Sequence, residues 1–161
     1  MRLLATLSIF ISVSNLCAQS TIPLYRSVMV GENGQLHITL ESGRQILPPK
    51  LPYQVAFNEP LLSRDHSTVG WLADYPGDSY PFSGELVLYR FGHLLRKFAA
   101  KQTFWSWQFA NGDRDVAYCD GPTHGGASEC DLRSLTSGNL LARWIPSEKA
   151  DPPAWAKNLH F

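Results

Sequence analysis

Residues 104–144 read FWSWQFANGDRDVAYCDGPTHGGASECDLRSLTSGNLLARW. Three turn signals interrupt the apolar runs of this segment: Asn111-Gly112, the glycine-rich stretch 120–129, and Ser137-Gly138. Short apolar runs separated by turn residues are typical of an antiparallel meander, in which each strand pairs with the next one along the chain. The segment therefore predicts a four-stranded β-sheet.

A weaker copy of this segment precedes it. At an offset of 46 residues, 65–98 aligns with 111–144 without a gap. Six aligned pairs are identical and two more agree in charge, namely Asp74/Asp120, Pro76/Pro122, Leu86/Leu132, Gly92/Gly138, Leu94/Leu140 and Leu95/Leu141, then Glu85/Asp131 and Lys97/Arg143. A partial third copy lies upstream, where Gly43 is again followed by two aliphatic residues. A period of about 40 to 50 residues indicates tandem β-repeats.

Two stretches resemble the segment that leads into a strand of tryptophan-aspartate and Tol-type propeller repeats: DHSTVGWL at 65–72 and FANGDRDVAY at 109–118. CDLRSLTSGNLLARW, at 130–144, is similar to the strand, turn and strand of the other half of such repeats. Two complete units and one partial unit are fewer than the roughly four blades that close a ring. The resemblance therefore implies an open, propeller-like fragment, a repacked β-sandwich or one protomer of an assembled ring. It also implies binding more often than catalysis.

The expected fold class is all-β, with tandem antiparallel four-strand meanders in an open propeller-like or sandwich arrangement. We expect the β-repeat domain to span residues 21–146. Residues 147–161 should form a linker and a short C-terminal helix, because Asp151 can cap a helix that begins at Pro152-Pro153. Trp155 and Leu159 would then lie one helical turn apart.

Residues 1–20 predict a secretory signal peptide, because Arg2 precedes the apolar run LLATLSIFISV. Cleavage after Ala18 and cleavage after Ser20 both fit, and a lipoprotein signal that uses Cys17 is a minor alternative. The run is shorter than the roughly 20 residues of a membrane-spanning helix. The sequence therefore predicts an exported protein, periplasmic or extracellular, with no integral membrane span.

Charge and cysteine content narrow the class of protein further. The chain has 14 basic and 14 acidic residues and no run of like charge, which argues against a nucleic-acid partner. Outside the predicted signal peptide the only cysteines are Cys119 and Cys130. An even pair in an exported protein predicts a disulfide. Because one cysteine ends a predicted strand and the other begins the next, the bond should cross a hairpin.

Two groups of residues are candidate sites. In the loop after Asp120, His124 stands between glycines and a proline and offers one titratable imidazole. A solvent-facing histidine on a glycine-rich turn is the simpler interpretation, since no nucleophile or second histidine is held nearby by the spacing. The loop equivalent to this one begins with Asp74 and Tyr75. For both Asp74 and Asp120, the simpler interpretation is that the side chain caps a turn. We also include Asp74 and Tyr75 among the candidate binding residues.

The aromatic run supplies the other candidate site. Strict alternation would place Trp105, Trp107 and Phe109 on one face of a strand and Phe104 on the other. The three could form a stacking platform for a sugar or peptide, but packing against a neighbouring sheet is the more common role of such aromatics. The alternation of Asn111 with two aspartates in NGDRD faintly resembles a calcium loop, but the rest of that loop is missing. We expect no metal or cofactor.

Together these features predict an exported non-enzymatic β-repeat protein that presents edge loops 74–84 and 120–129 to a protein or glycan partner. One alternative is a periplasmic hydrolase in which His124 and Asp120 form an acid–base pair. Another is a structural component of an envelope assembly, whose edge strands complete a partner's sheet. Assembly of a ring would make the protein a homo-oligomer.

Overall fold

The computed structural model describes residues 23–124, 126, 129–147 and 151–160. Within these ranges the chain is all-β and contains no helix. The strands are β1 (Tyr25–Val30), β2 (Leu36–Leu40), β3 (Gln45–Ile46), β4 (Ala56–Leu62), β5 (Thr68–Tyr75), β6 (Phe82–Arg90), β7 (His93–Ala99), β8 (Thr103–Ala110), β9 (Asp115–Gly121), β10 (Glu129–Ser134) and β11 (Leu140–Trp144). The predicted signal peptide, including Cys17, Ala18 and Ser20, lies outside the described residues.

The strands form three antiparallel meanders, which we call the N-terminal sheet (β1–β3), the middle sheet (β4–β7) and the C-terminal sheet (β8–β11). In each sheet every strand pairs with the next along the chain, and the described strands do not close into a barrel. The predicted tandem four-strand meanders are confirmed. Gly92 and Gly138 lie in matching turns with φ of 83° and 77°, where residues other than glycine are strained.

The repeated leucine pairs after these glycines have a structural reason. The pairing register of β7 with β6 shifts at Leu95, and that of β11 with β10 shifts at Leu141. Each shift is a β-bulge, in which one extra residue is left unpaired and the strand bends. Because Leu95 and Leu141 occupy matching positions in the two copies, the bulge is part of the repeated unit.

The predicted disulfide is confirmed. Cys119 and Cys130 are direct partners in the β9–β10 register, their Cα atoms are 4.0 Å apart, and both side chains are buried. A cross-strand bond between direct partners fixes the register of this hairpin. Without a fixed register, a slip by one residue would move every side chain of the strand to the opposite face of the sheet.

The three sheets pack against one another in chain order, with the middle sheet buried on both faces. On β5, Val69, Trp71 and Ala73 belong to the core shared with the N-terminal sheet. Leu72, between them, and Leu86 on β6 belong to the core shared with the C-terminal sheet. This two-sided burial explains why the middle strands carry apolar residues at successive positions.

Trp107 of β8 links the C-terminal sheet to the middle sheet. Its side chain is 4% exposed, and its indole Nε1 donates a hydrogen bond to the backbone oxygen of Glu59, 2.9 Å away. Beside the ring, Gly70 of β5 leaves room for it: a Cβ there would lie 2.4 Å from the Trp107 Cη2 atom. The missing side chain lets the tryptophan reach the backbone of the neighbouring sheet.

The predicted C-terminal helix is wrong. Residues 154–158 form turns, in which the Ala156 amide donates to Pro153 and the Leu159 amide donates to Ala156. Isolated helices this short are marginal in water, and two contacts with β8 favour another path. The Gln108 side chain donates to the Trp155 backbone oxygen at 2.7 Å, and the Ser106 hydroxyl donates to that of His160 at 2.9 Å.

This C-terminal segment, residues 151–160, covers the outer face of the C-terminal sheet. Ala156 and Leu159 are buried in a cluster with Ala117, Leu132 and the disulfide. The segment therefore shields apolar surface at the end of the stack of sheets, as capping units do in repeat proteins.

We expect Gly70→Ala to destabilise the fold, because the added methyl group would overlap Trp107 and lie 2.9 Å from a Leu88 methyl carbon. Overpacking of this kind costs about 1–3 kcal/mol, which urea unfolding would measure. Gly31→Ala is the matched control, since the nearest atoms there belong to the side chains of His37 and Asn33 at 3.0 Å and 3.1 Å. Equal effects of the two substitutions would contradict the Trp107 contact.

Burial of the C-terminal segment predicts that Leu159→Ala lowers the free energy of unfolding by about 2–5 kcal/mol, the usual cost of removing a buried leucine side chain. Leu141→Ala removes the same atoms from a side chain that is 53% exposed, so its effect should stay within about 0.5 kcal/mol. Chemical denaturation of both variants is the measurement. A Leu159→Ala variant as stable as Leu141→Ala would mean that the segment does not pack on the sheet.

Candidate functional site

Two equivalent loops of the successive meanders line one cavity of about 390 Å³, which we call the loop cleft. The β5–β6 loop and the start of β6 contribute five residues and the β9–β10 loop contributes two: Gly77, Asp78, Ser79, Tyr80 and Phe82, then Thr123 and His124. Both loops follow corresponding strands of neighbouring sheets, so they leave the stack at the same edge. The two predicted edge loops thus converge through their described residues.

The aromatic residues of the loop cleft differ in solvent exposure. Tyr80 is 76% exposed. Phe82 is half-buried, with its ring centroid 6.1 Å from that of Tyr75. The Tyr75 hydroxyl donates to Glu85 at 2.5 Å, and Glu85 also accepts a hydrogen bond from Lys97. Tyr75 therefore lies behind the cleft and supports Phe82.

Burial and the hydrogen bond to Glu85 raise the pKa of Tyr75 well above its ordinary value. Its hydroxyl therefore remains a donor at any physiological pH. Because that donor is already directed to Glu85, Tyr75 has a positioning role in this arrangement.

Glycine determines the shape of the loop at two positions. A Cβ at Gly77 would lie 2.2 Å from the backbone oxygen of Tyr80, and one at Gly84 would lie 2.8 Å from the Tyr75 ring. Neither approach is sterically allowed for another residue without movement of the neighbouring atoms. The close turn that presents Tyr80 therefore depends on glycine at position 77.

Asp74 and Asp120 hold the ends of these loops and do not line the cleft. Asp74 accepts a hydrogen bond from the Ser83 hydroxyl at 2.6 Å, and Asp120 accepts one from the backbone amide of Lys101 at 3.0 Å. Burial raises the pKa of both carboxyl groups. These contacts are those of side chains that tie a turn to its neighbouring strand or crossing.

His124 and Asp120 occupy different environments. His124 is exposed on the wall of the cleft, whereas the Asp120 side chain is 4% exposed. No hydrogen bond or ion pair joins these two described side chains. A general acid–base pair requires hydrogen-bond reach, so the geometry does not favour the predicted alternative of a hydrolase.

The expected arrangement of the tryptophans is wrong in one respect. The register of β8 with β9 shifts between Phe104 and Ser106, so Trp105 is the extra residue of a bulge. Beyond a bulge the alternation of faces changes. Phe104 therefore shares the buried face of Trp107 and Phe109, whereas Trp105 belongs to the cluster on the opposite face, under the C-terminal segment. Neither tryptophan lines the loop cleft.

The NGDRD turn is held by its own side chains. Asn111 donates to the Asp115 carboxylate at 2.7 Å, and Asp113 accepts a hydrogen bond from the backbone amide of Asp65 at 3.0 Å. Among the residues that the structure describes, no group of three potential metal ligands is found. The Asp113 contact links the matching turns of the middle and C-terminal sheets.

An ion pair at matching positions recurs in the two repeats, and its acidic member is buried only in the C-terminal sheet. The Asp131 side chain is 3% exposed and accepts hydrogen bonds from Arg143 at 2.7 and 3.0 Å and from Arg133 at 2.9 Å. Glu85 and Lys97 form the matching pair in the middle sheet at 2.9 Å. The signal for this contact was present in the sequence, because both members of the pair align at the 46-residue offset.

The binding candidates named from the sequence omit the most exposed aromatic residue of the cleft. Tyr80 lies within the predicted loop 74–84 and is not one of the candidate binding residues. The available signal was its place in DYPGDSYPFSG, where an aromatic side chain stands among prolines and glycines that no strand can bury.

Asp131 should make stability depend on pH. Burial alone would raise the pKa of Asp131, but hydrogen bonds and charge from Arg143 and Arg133 outweigh it and hold the pKa below the ordinary 3.8. Its stabilising contribution is therefore present above pH 3.8 and is lost as the pH falls through the lowered value. Asp131→Asn should lower the free energy of unfolding by about 3–5 kcal/mol near neutral pH, and much less in acid.

Asp120→Asn is the matched control, because its pKa is shifted upward by burial. The stabilising effect of its protonated form is present below pH 3.8 and is lost as the pH rises through the raised value. An asparagine keeps an acceptor for the Lys101 amide and removes the buried charge, so the variant should be more stable than the wild type near neutral pH. Urea unfolding across pH would contradict this assignment if both substitutions were equally destabilising.

No helix of the described residues is long and apolar enough to cross a membrane. The sequence matches no model of a known protein family, and no curated protein matches it either.

Proposed function

We propose that this protein is an exported, non-enzymatic β-repeat protein that binds a protein or glycan partner in the loop cleft. The observation that supports this proposal is the convergence of loops from two successive repeats on one cavity, with Tyr80 projecting from its wall. Loops held on rigid sheets commonly carry binding sites, and concave surfaces with a few polar groups commonly take ligands.

The polar side chains of the cleft support binding over catalysis. Asp78, Ser79 and His124 all line the cavity. Between these three described side chains there is no hydrogen bond, whereas an activated serine needs a base within hydrogen-bond reach and a third group that orients the base. These three side chains are therefore better suited to separate contacts with a ligand than to joint catalysis.

Export is supported by the disulfide, because such bonds persist in oxidising compartments outside the cytosol. The packing of the sheets in chain order is also compatible with the propeller resemblance, in which each sheet would be one blade. We propose an open arrangement, since the C-terminal segment packs on apolar side chains of the last sheet, where a further blade would otherwise lie.

A role in an envelope assembly is the second candidate, supported by the exposed leucines of β7 and β11. These are edge strands of their sheets, and Leu94, Leu140 and Leu141 are each about half exposed. Strand addition by a partner would cover them. The bulges at Leu95 and Leu141 weigh against this role, because bulges interrupt the edge that a partner strand would extend.

Selection of ligands tests the proposed function. The purified mature protein would be probed against a glycan array and a displayed random-peptide library, in parallel with Tyr80→Ala/His124→Ala. Ligands selected by the wild type should bind the cleft variant at least about tenfold more weakly, the effect of losing a contact worth about 1.4 kcal/mol. Tyr53→Ala/His93→Ala, which removes an exposed tyrosine and an exposed histidine outside the cleft, should bind normally.

Two outcomes would contradict the proposal. One is that selected ligands bind the cleft variant as tightly as the wild type, which would place binding elsewhere. The other is turnover of a glycoside, ester or peptide substrate that His124→Ala or Asp120→Ala abolishes, which would favour the hydrolase.

A further inference from the structure

We infer that the loop cleft takes a neutral carbohydrate, with the apolar face of one sugar ring stacked on Tyr80. This inference rests on the proposed function and narrows its ligand to one chemical class. Three properties of the described cleft residues carry it: an exposed aromatic face, polar side chains that form no hydrogen bond with another described residue, and a lining without cationic or aliphatic side chains.

Tyr80 presents a ring that nothing in the described part of the fold covers. It is 76% exposed and takes part in none of the close ring pairs of the described residues, whereas Tyr75 and Tyr118 both do. A sugar ring has a flat face of C–H groups, which can bury the apolar face of an aromatic residue. Tyrosine suits such a contact because it is rigid, with an apolar body and a polar end.

The polar groups around Tyr80 match hydroxyl groups. Ser79 and Thr123 can each donate and accept, the Asp78 carboxylate accepts, and the His124 imidazole can do either. All four side chains are exposed on the cleft, and none forms a hydrogen bond with another described residue. A polyol that both donates and accepts can use every one of them, whereas an apolar ligand would leave them unpaired.

The composition of the lining excludes other ligand classes. Among the described residues, no lysine or arginine lines the cleft, although phosphate, sulfate and nucleic acid are usually recognised by such cations. The part of the lining that the structure describes also contains no leucine, isoleucine, valine or methionine, and these would be expected in a site for a lipid or for the aliphatic anchor of a peptide. The volume of about 390 Å³ lies at the small end of the range for low-molecular-weight ligands.

The site is also held in shape before a ligand arrives. The backbone oxygen of Tyr80 lies close to Gly77, and Phe82 packs on Tyr75, which is bonded to Glu85. Less conformational entropy is lost on binding when the contact groups are already placed. The cleft can therefore bind a sugar with few contacts.

Calorimetric titration of the mature protein with neutral hexasaccharides tests the inference. The probes are cello-, xylo-, manno-, malto- and chitohexaose, with hexagalacturonate and a heparin hexasaccharide as anionic comparisons. At least one neutral probe should bind, and the anionic probes should not compete with it. Tyr80→Ala should weaken binding at least tenfold and Tyr80→Phe, which keeps the ring, less than threefold. Tyr53→Ala, at a tyrosine that is 87% exposed outside the cleft, should leave it unchanged.

The inference is overturned if no neutral probe binds at millimolar concentration, or if binding survives Tyr80→Ala. It is also overturned if Tyr80→Phe loses as much affinity as Tyr80→Ala, because the hydroxyl and not the ring face would then make the contact. Peptides that bind in a Tyr80-dependent way, when no sugar does, would refute the carbohydrate inference and leave the proposed function standing. If neither class depends on Tyr80 and His124, both are wrong.

Discussion

The contact of Trp107 with the backbone of the middle sheet determines how the two complete meanders sit together. Its ring lies beside Gly70, and its indole nitrogen donates to the Glu59 backbone oxygen. The crossing between the sheets is fixed as well, since the Ser83 amide donates to the Thr103 hydroxyl at 3.2 Å. Because close-packed interiors are only slightly compressible, these contacts also determine where the loops at the shared edge of the two sheets meet. The loop cleft is thus a consequence of sheet packing.

The parts of the fold that local chemistry determines could be predicted from the sequence. Glycine indicates the turns that require positive φ. The positions of the two cysteines at the ends of neighbouring strands predict the disulfide. The bulge at Trp105 could not be foreseen, because one unpaired residue reverses the alternation of faces, and the alternating pattern of side chains does not mark which residue is unpaired. The C-terminal helix failed for a related reason. Its capping signals were real, but hydrogen bonds from Gln108 and Ser106 and the burial of Leu159 favour a turn.

The sequence predicts which two loops form the candidate site but not which of their side chains line it. The 46-residue offset put loops 74–84 and 120–129 at equivalent edges, and they do converge. The short separation of Asp120 and His124 along the chain suggested that they act together. In the structure the Asp120 carboxylate accepts a hydrogen bond from the Lys101 amide, whereas His124 lines the cleft. Tyr80 was missed because sequence alternation identifies buried aromatics but does not identify one that a loop leaves exposed.

We propose that two successive repeats build one binding site together. Amide chemical shifts of the ¹⁵N-labelled mature protein, followed during titration with a neutral hexasaccharide, test it most directly. We expect the amides of residues 77–80 and of residues 123–124 to shift together and to give one dissociation constant. Shifts confined to a single loop, or to the edge strands β7 and β11, would contradict it.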